Sequence, residues 1–113
     1  MIENINLESS KRAALEEFLL RIRKRLSSQL KTVKLFGSEA RGEATEESDI
    51  DLFVVVSPYS KETENYILDE AYEISLQYDV VITPLVYGED EVNSHLFQIT
   101  TFYKNIMEEG ISL

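Results

Sequence analysis

Two long stretches of the chain place apolar residues at helical spacing. In Leu7–Leu30 and again in Lys61–Tyr78, apolar side chains recur every three or four positions, with polar side chains between them. This amphipathic pattern predicts two helices that each bury one face. The stretch from about Asp90 to Glu109 is also expected to be helical, and Gly110 is a favourable residue just past its end.

Three shorter stretches are typical of strands. Val33–Phe36 runs directly into a glycine, and Ile50–Val56 is almost wholly apolar after its start, as expected of a strand covered on both faces. Asp79–Tyr87 is the third, and Pro84 favours an edge position or a bulge for it. The order of helix, strand, turn, strand, helix, strand and helix indicates a single α/β (α+β) domain over residues 1–113.

Composition narrows the range of functions. The 113 residues carry 11 Lys and Arg against 21 Asp and Glu, a net charge of −10, and contain no cysteine. Disulfide scaffolds, thiol catalysis and cysteine-ligated zinc are therefore excluded. Residues 43–113 hold two basic side chains beside sixteen acidic ones. Such an excess of negative charge repels nucleic acid, so stable DNA or RNA binding is not expected.

The chain also lacks the sequence features of membrane and secreted proteins. No apolar run approaches the roughly 20 residues that are needed to span a bilayer. The first residues, Met1–Asn4, have neither the basic region nor the apolar region of a signal peptide. We therefore expect a cytoplasmic protein without membrane attachment.

The stretch with the most chemical information begins where the first strand ends. Gly37 has no Cβ, so the backbone N–H groups beside it can approach a ligand closely. Ser38 adds a hydroxyl at the start of a short helical turn that ends at Gly42, and free N–H donors at such a position suit a phosphate. Arg41 contributes a guanidinium that stays charged and can form paired bonds to phosphate oxygens.

Two carboxylates follow at the start of the second strand. Asp49 and Asp51 are two residues apart, so both side chains point to one face of the strand, whereas Ile50 and Leu52 point to the other. Adjacent carboxylates repel each other and raise each other's pKa unless they share a cation. Mg²⁺ relieves this repulsion, and it prefers one or two carboxylates together with substrate phosphates.

Each of these residues taken singly has a structural explanation. A tight turn accounts for Gly37, a helix cap for Ser38, and a solvated strand end for Asp49. However, no requirement of folding asks for both carboxylates to share one face. The combination therefore favours a phosphate and metal site over a purely structural role.

The whole pattern resembles the signature of a known enzyme group. Gly37-Ser38, ten intervening residues and then Asp49-Ile50-Asp51 is similar to the motif of polymerase-β-type nucleotidyltransferases. The fuller string Gly-Ser-x-Ala-Arg-Gly, followed by Ser-Asp-Ile-Asp-Leu, resembles the minimal nucleotidyltransferase (MNT) family within that superfamily. The resemblance implies a polymerase-β-like core, which is a small mixed β-sheet with helices packed on it.

The resemblance also implies a third carboxylate on the next strand. Asp79 fits that position as a third metal ligand or a general base, although a strand-edge residue facing water would fit it equally well. With Asp79 at the beginning of the third strand, the three carboxylates Asp49, Asp51 and Asp79 are predicted to converge on two metal ions. The single histidine, His95, falls in an expected surface helix and is not predicted to be catalytic.

The MNT family further implies a protein partner. Its members are commonly encoded as antitoxins beside HEPN-domain ribonuclease toxins, and they transfer AMP from ATP onto a toxin tyrosine. By resemblance, Gly37 and Ser38 would hold ATP with support from Arg41, and the aspartate pair would hold two Mg²⁺ ions. Asp79 would help to deprotonate the acceptor hydroxyl.

Two other functions are compatible with the same sequence. The chain could be a binding module that neutralises its partner by occlusion, without catalysis. Transfer to a small molecule such as an aminoglycoside is less favoured, because no acceptor-binding domain is visible in the sequence. Both a homo-oligomer and a hetero-oligomer are compatible with each of these functions.

Overall fold

Helices and strands alternate along most of the chain in the computed structural model, which describes residues 5–113. The helices are α1 (Ser9–Leu26), α2 (Ser38–Arg41), α3 (Lys61–Tyr78), α4 (Glu89–Val92), α5 (His95–Gln98) and α6 (Thr101–Glu109). The strands are β1 (Leu30–Phe36), β2 (Ile50–Val56), β3 (Ile82–Gly88) and β4 (Ile111–Ser112).

The four strands form one mixed sheet in the order β3-β2-β1-β4. β1 pairs antiparallel with both β2 and β4, whereas β2 pairs parallel with β3. A parallel pair needs a crossover connection, and α3 supplies it. The predicted α/β architecture, a small mixed sheet with helices packed on it, is confirmed.

Each face of the sheet is covered by its own group of helices. On one face, α1 and α3 bury a cluster that includes Phe18, Ile22 and Ile74 against alternate residues of β1 and β2. On the other face, Phe53 and Val55 of β2 pack against residues from α4, α5 and α6. β2 is therefore buried on both faces, as its apolar run predicted, and each fully buried large side chain contributes roughly 1.5–3 kcal/mol.

The first helix is shorter than its periodicity predicted. It begins at Ser9, and the Glu8 side chain caps it by accepting a hydrogen bond from the Ser10 N–H. It ends before Ser27, whose φ of 50° breaks the helical backbone. β1 then starts at Leu30, three residues earlier than predicted.

The C-terminal region is divided where one helix was predicted. The Ser94 side chain accepts a hydrogen bond from the Phe97 N–H, and the Thr100 side chain does the same from the Tyr103 N–H. Each of these side chains caps a new helix start, so α4, α5 and α6 replace a continuous helix. After Gly110 the chain forms β4, a strand that was not predicted.

The third strand also begins later than predicted. Asp79 is the C-cap of α3 with a φ of 54°, and β3 starts only at Ile82. Pro84 lies in this strand at the edge of the sheet, as predicted. Within residues 5–113, no helix is long and apolar enough to cross a membrane. The prediction made for Met1–Asn4 falls outside the described residues.

Candidate active site

The predicted phosphate-binding turn forms directly after β1. Gly37 leaves the strand with a φ of 76°, α2 makes a single helical turn, and Gly42 ends it in the left-handed conformation with a φ of 73°. The Arg41 N–H donates to the Gly37 carbonyl at 3.1 Å, and the Glu43 N–H donates to the Ser38 carbonyl at 3.0 Å. The Ser38 hydroxyl makes no hydrogen bond with any residue of the described range 5–113, so it is available to a ligand.

The two aspartates lie beside this turn at the start of β2. Asp51 pairs in register with Phe36, the last residue of β1, and it is half-buried. Asp49 immediately precedes the strand and is exposed. Ile50 and Leu52 point into the core beneath α1 and α3, so the predicted separation of the two faces is confirmed.

Gly37 and Asp51 are in direct contact, and this contact explains the glycine. A Cβ built on Gly37 would overlap the Asp51 carboxylate oxygen Oδ2 and would lie 3.3 Å from the carboxylate carbon. The positive φ of Gly37 is a second reason why other residues are disfavoured there. From the sequence, either a tight turn or the close approach of a ligand accounts for Gly37. In the structure the glycine also makes room for the Asp51 side chain.

The electrostatics of Asp51 favour a bound cation. Partial burial raises the pKa of Asp51 above its ordinary value, and the charges of Asp49 and Glu39 add to the rise, whereas Arg41 opposes it. No residue of the described range 5–113 donates a hydrogen bond to the Asp51 carboxylate. A carboxylate in this position gains from a shared positive charge.

Arg41 is held near the turn by two carboxylates. Its Nε donates to Glu43 at 2.8 Å and its Nη1 to Glu109 at 3.3 Å, and these bonds raise the pKa of the guanidinium. The contact with Glu109 ties the end of α6 to the motif. Since all three side chains are exposed, neither bond is strong. Arg41 can therefore exchange one of them for a phosphate oxygen.

Asp79 does not occupy the position that the sequence predicted. It is an exposed helix cap that lies three residues before β3, and residues 5–113 contain no group of three or more acids or histidines placed to hold a metal. The residue opposite Asp51 in the parallel register is Thr83, whose Oγ1 lies 3.5 Å from the Asp49 carboxylate oxygen Oδ2. The structure therefore does not bring these three carboxylates to one position within residues 5–113.

This placement changes the expected result of replacing Asp79. Asn tolerates the left-handed conformation as Asp does, so Asp79→Asn should preserve the cap of α3. We expect its nucleotidyl-transfer rate to stay within about threefold of the parent rate, measured by single-turnover assay. A loss on the order of 10² to 10⁴, the usual contribution of a positioned general base, would restore that role to Asp79.

Two features of the site were missed at the level of sequence. Thr83 faces the aspartates because of the β2–β3 register, and nothing local in the sequence reveals a register. Lys11 and Glu39 form a buried ion pair beneath the turn. A signal for Lys11 was present, since it falls at helical spacing with Leu15 and Phe18 on the apolar face of α1.

An apolar groove runs along the outside of α3 and β3 and reaches Thr83. It has a volume of about 530 Å³. Its walls include Tyr72 and Leu76, which are 68% and 66% exposed, and Val81, which is 52% exposed. Exposed apolar patches of this kind are typical of protein-binding surfaces.

Comparison with known proteins gives one family match and close relatives. The family model described as "Nucleotidyltransferase domain" matches residues 15–113. A protein of Methanocaldococcus jannaschii named "Putative protein adenylyltransferase MJ0604" is 35% identical over 97 residues. The match covers 86% of this chain and 91% of that protein.

Two solved structures share the fold. One, described as "Structure of putative minimal nucleotidyltransferase", superposes with a TM-score of 0.57 and 23% identity, covering 96% of this chain and 98% of the other. The second is described as "Crystal structure of the toxin-antitoxin with AMP-PNP". It has a TM-score of 0.57 and 16% identity, and the match covers 86% of this chain and 70% of that one.

Proposed function

Because the chain belongs to the nucleotidyltransferase domain family, we propose that it transfers AMP from ATP onto a hydroxyl of a partner protein. The acceptor is a tyrosine of a HEPN-type ribonuclease toxin, for which this chain acts as antitoxin. The observation that carries the proposal is the contact between the Gly37 backbone and the Asp51 carboxylate, which joins a phosphate-binding turn to a pair of carboxylates. The relative named as a protein adenylyltransferase and the toxin–antitoxin structure with AMP-PNP support it.

The donor set of the site fits magnesium. Asp49 and Asp51 present two carboxylates on one face, and Asp51 receives no hydrogen bond within residues 5–113 that would compete with a cation. Two carboxylates leave most of an octahedral Mg²⁺ shell open to phosphate oxygens and water. When bound, Mg²⁺ supplies positive charge that offsets the charge of the triphosphate and of the departing pyrophosphate.

The residues of the chain bind and orient the substrate. The Gly37–Ser38 segment presents its backbone N–H groups and the Ser38 hydroxyl to the phosphates. Arg41, the last residue of the turn, adds a positive charge. The acceptor oxygen forms a bond to the α-phosphorus while the bond from that phosphorus to the bridging oxygen breaks. Pyrophosphate leaves, and the hydroxyl proton passes to solvent. The contribution of the chain is positioning and charge neutralisation.

The groove beside the site supports a protein acceptor over a small one. Its exposed apolar side chains, among them Tyr72 and Leu76, are suited to apolar side chains of a partner. Asp69 and Glu73 of the same helix, α3, are exposed, and Asp79 lines the groove. A partner segment with apolar residues flanked by Lys or Arg would complement this surface.

The proposal is tested with the protein encoded in the neighbouring reading frame as the candidate acceptor. Incubation of both proteins with labelled ATP and Mg²⁺ is expected to add about 329 Da per modified tyrosine, which mass spectrometry of the partner detects. The Asp49→Asn variant should give no addition.

The same experiment separates catalysis from occlusion. A non-catalytic binding module would inhibit the ribonuclease at a fixed stoichiometry with or without ATP. In that case Asp49→Asn would inhibit the partner as well as the parent does, and the transfer of AMP would be rejected as the function.

A further inference from the structure

A buried ion pair lies directly beneath the phosphate-binding turn. Lys11 of α1 is 4% exposed and Glu39 of α2 is 5% exposed. The Lys11 ammonium donates to the Glu39 carboxylate oxygen Oε2 and also to the backbone carbonyl of Thr45, at 2.7 Å. One cation therefore connects α1 to two separate segments of the motif region.

The two acceptors, Glu39 and the Thr45 carbonyl, lie next to the two parts of the site, which are the phosphate-binding turn and the aspartate pair. Glu39 is the residue after Ser38 in the phosphate-binding turn. Thr45 begins a turn that leads into Asp49, in which the Ser48 N–H donates to the Thr45 carbonyl at 3.1 Å. Between α2 and β2 the chain has no helix or strand, so its course depends on contacts such as this one.

We infer that Lys11 is a positioning residue that holds the phosphate-binding turn and the segment leading to Asp49 in fixed positions against α1. α1 is a suitable anchor, because Leu15, Phe18 and Ile22 fix it in the core. Stability alone does not require the pair, since apolar residues of similar volume often replace a buried ion pair without loss of stability. The inference rests on the proposed function, because the triphosphate and the metal must meet across these two segments.

The double variant Lys11→Met/Glu39→Met separates positioning from stability. Met fills most of both volumes and leaves no buried charge, so the thermal midpoint should stay within about 5 °C of the parent value. The Thr45 carbonyl loses the Lys11 donor and keeps only the Ser48 N–H, so the segment before Asp49 is no longer tied to α1. We therefore expect the Kd for ATP in the presence of Mg²⁺ to rise at least about tenfold by calorimetry. A parent-like Kd together with a parent-like midpoint would overturn the inference.

A matched control removes an ion pair of the same net charge far from the site. Lys61 and Glu64 form such a pair at 3.3 Å on α3, in which Lys61 is exposed and Glu64 is half-buried and also accepts from the Tyr59 hydroxyl. Lys61→Met/Glu64→Met should leave both the thermal midpoint and the Kd for ATP near the parent values. A tenfold loss of affinity in this control would assign the effect to surface charge and would also overturn the inference.

A second measurement uses the unmodified protein without nucleotide or metal. If Lys11 holds the connecting segment, the backbone amide of Ser48 should exchange at least about tenfold more slowly than in an unstructured peptide, because its acceptor is the Thr45 carbonyl that Lys11 also contacts. Exchange at the peptide rate would contradict the inference even if the double variant fails to fold. The exchange measurement needs no ligand, so it tests the role of Lys11 even if the proposed function is wrong. If the parent protein does not bind ATP with Mg²⁺, only the proposed function is contradicted.

Discussion

Asp49→Asn and Asp51→Asn are each expected to lower the affinity for ATP in the presence of Mg²⁺ by at least about 100-fold. Each variant keeps the size of the side chain and removes one of the two charges that would hold the metal together with the phosphates. Calorimetric titration with ATP, in Mg²⁺ and again in EDTA, measures the effect. The parent should bind in Mg²⁺ or Mn²⁺ and lose binding in EDTA.

Asp69→Asn provides the matched control for charge removal. Asp69 is exposed on α3, so its replacement changes the net charge by the same amount and should leave the Kd near the parent value. Parent-like binding of ATP in EDTA would show that the aspartates do not hold a metal for the nucleotide.

The same Asp51 variant has an expected effect on stability in metal-free buffer. Because burial and the charge of Asp49 raise the pKa of Asp51 in the fold, the folded state binds more protons than the unfolded state as pH rises through the acid range. The parent therefore loses stability as pH rises from the unfolded pKa through the raised folded pKa. Asp51→Asn should unfold at a higher temperature than the parent at pH 7, and this advantage should disappear below the unfolded pKa.

Gly37→Ala is expected to abolish detectable ATP binding and to destabilise the fold. A side chain at the φ of 76° and ψ of −157° of Gly37 costs roughly 1–3 kcal/mol, because this backbone region is essentially restricted to glycine. The added Cβ also overlaps the Asp51 carboxylate and displaces it from the turn. Gly37→Val should have at least the same effect, because its branched side chain needs more room. Thermal unfolding and calorimetric titration measure the two losses separately.

Gly42→Ala is the control for a side chain at a positive φ that meets no neighbour. Gly42 has a φ of 73° and a ψ of 20°, which is the left-handed helical region, and a Cβ there meets nothing within 4 Å. It should lose about 1–2 kcal/mol of stability and keep ATP affinity. If Gly37→Ala binds ATP as well as Gly42→Ala does, the phosphate site lies elsewhere.

Ser38→Ala should weaken binding of ATP by about 1 kcal/mol, the usual effect of one lost hydrogen bond.

The elements that were predicted with correct bounds are those whose signals are local. β2 and α3 each match the predicted residues from first to last. Pro58 follows β2, and the Ser60 side chain caps α3 by accepting a hydrogen bond from the Thr63 N–H. Both boundary signals lie within a few residues of the element they delimit, so the sequence alone carries them.

The elements predicted incorrectly are those whose limits depend on distant contacts. β1 extends back to Leu30 because that residue pairs with Val56, twenty-six positions further along the chain. β4 exists because Ile111 pairs with Leu35. The late start of β3 depends on Ser75 of α3, whose hydroxyl accepts from the Ile82 N–H. The spacing of apolar residues along the sequence does not indicate which distant residues will pair.

For the site, the Gly37-Ser38 turn and the two aspartates were predicted from the sequence, because their residue types and spacing are typical of a phosphate and metal site. The residues that surround them depend on the tertiary structure. Thr83 lies opposite Asp51, because strand register is set by side-chain packing across the sheet. Asp79 is the C-cap of α3 and not a residue of β3. The tertiary structure also pairs Lys11 with Glu39, because folding brings an otherwise unremarkable lysine of α1 into a buried position where its charge needs a partner.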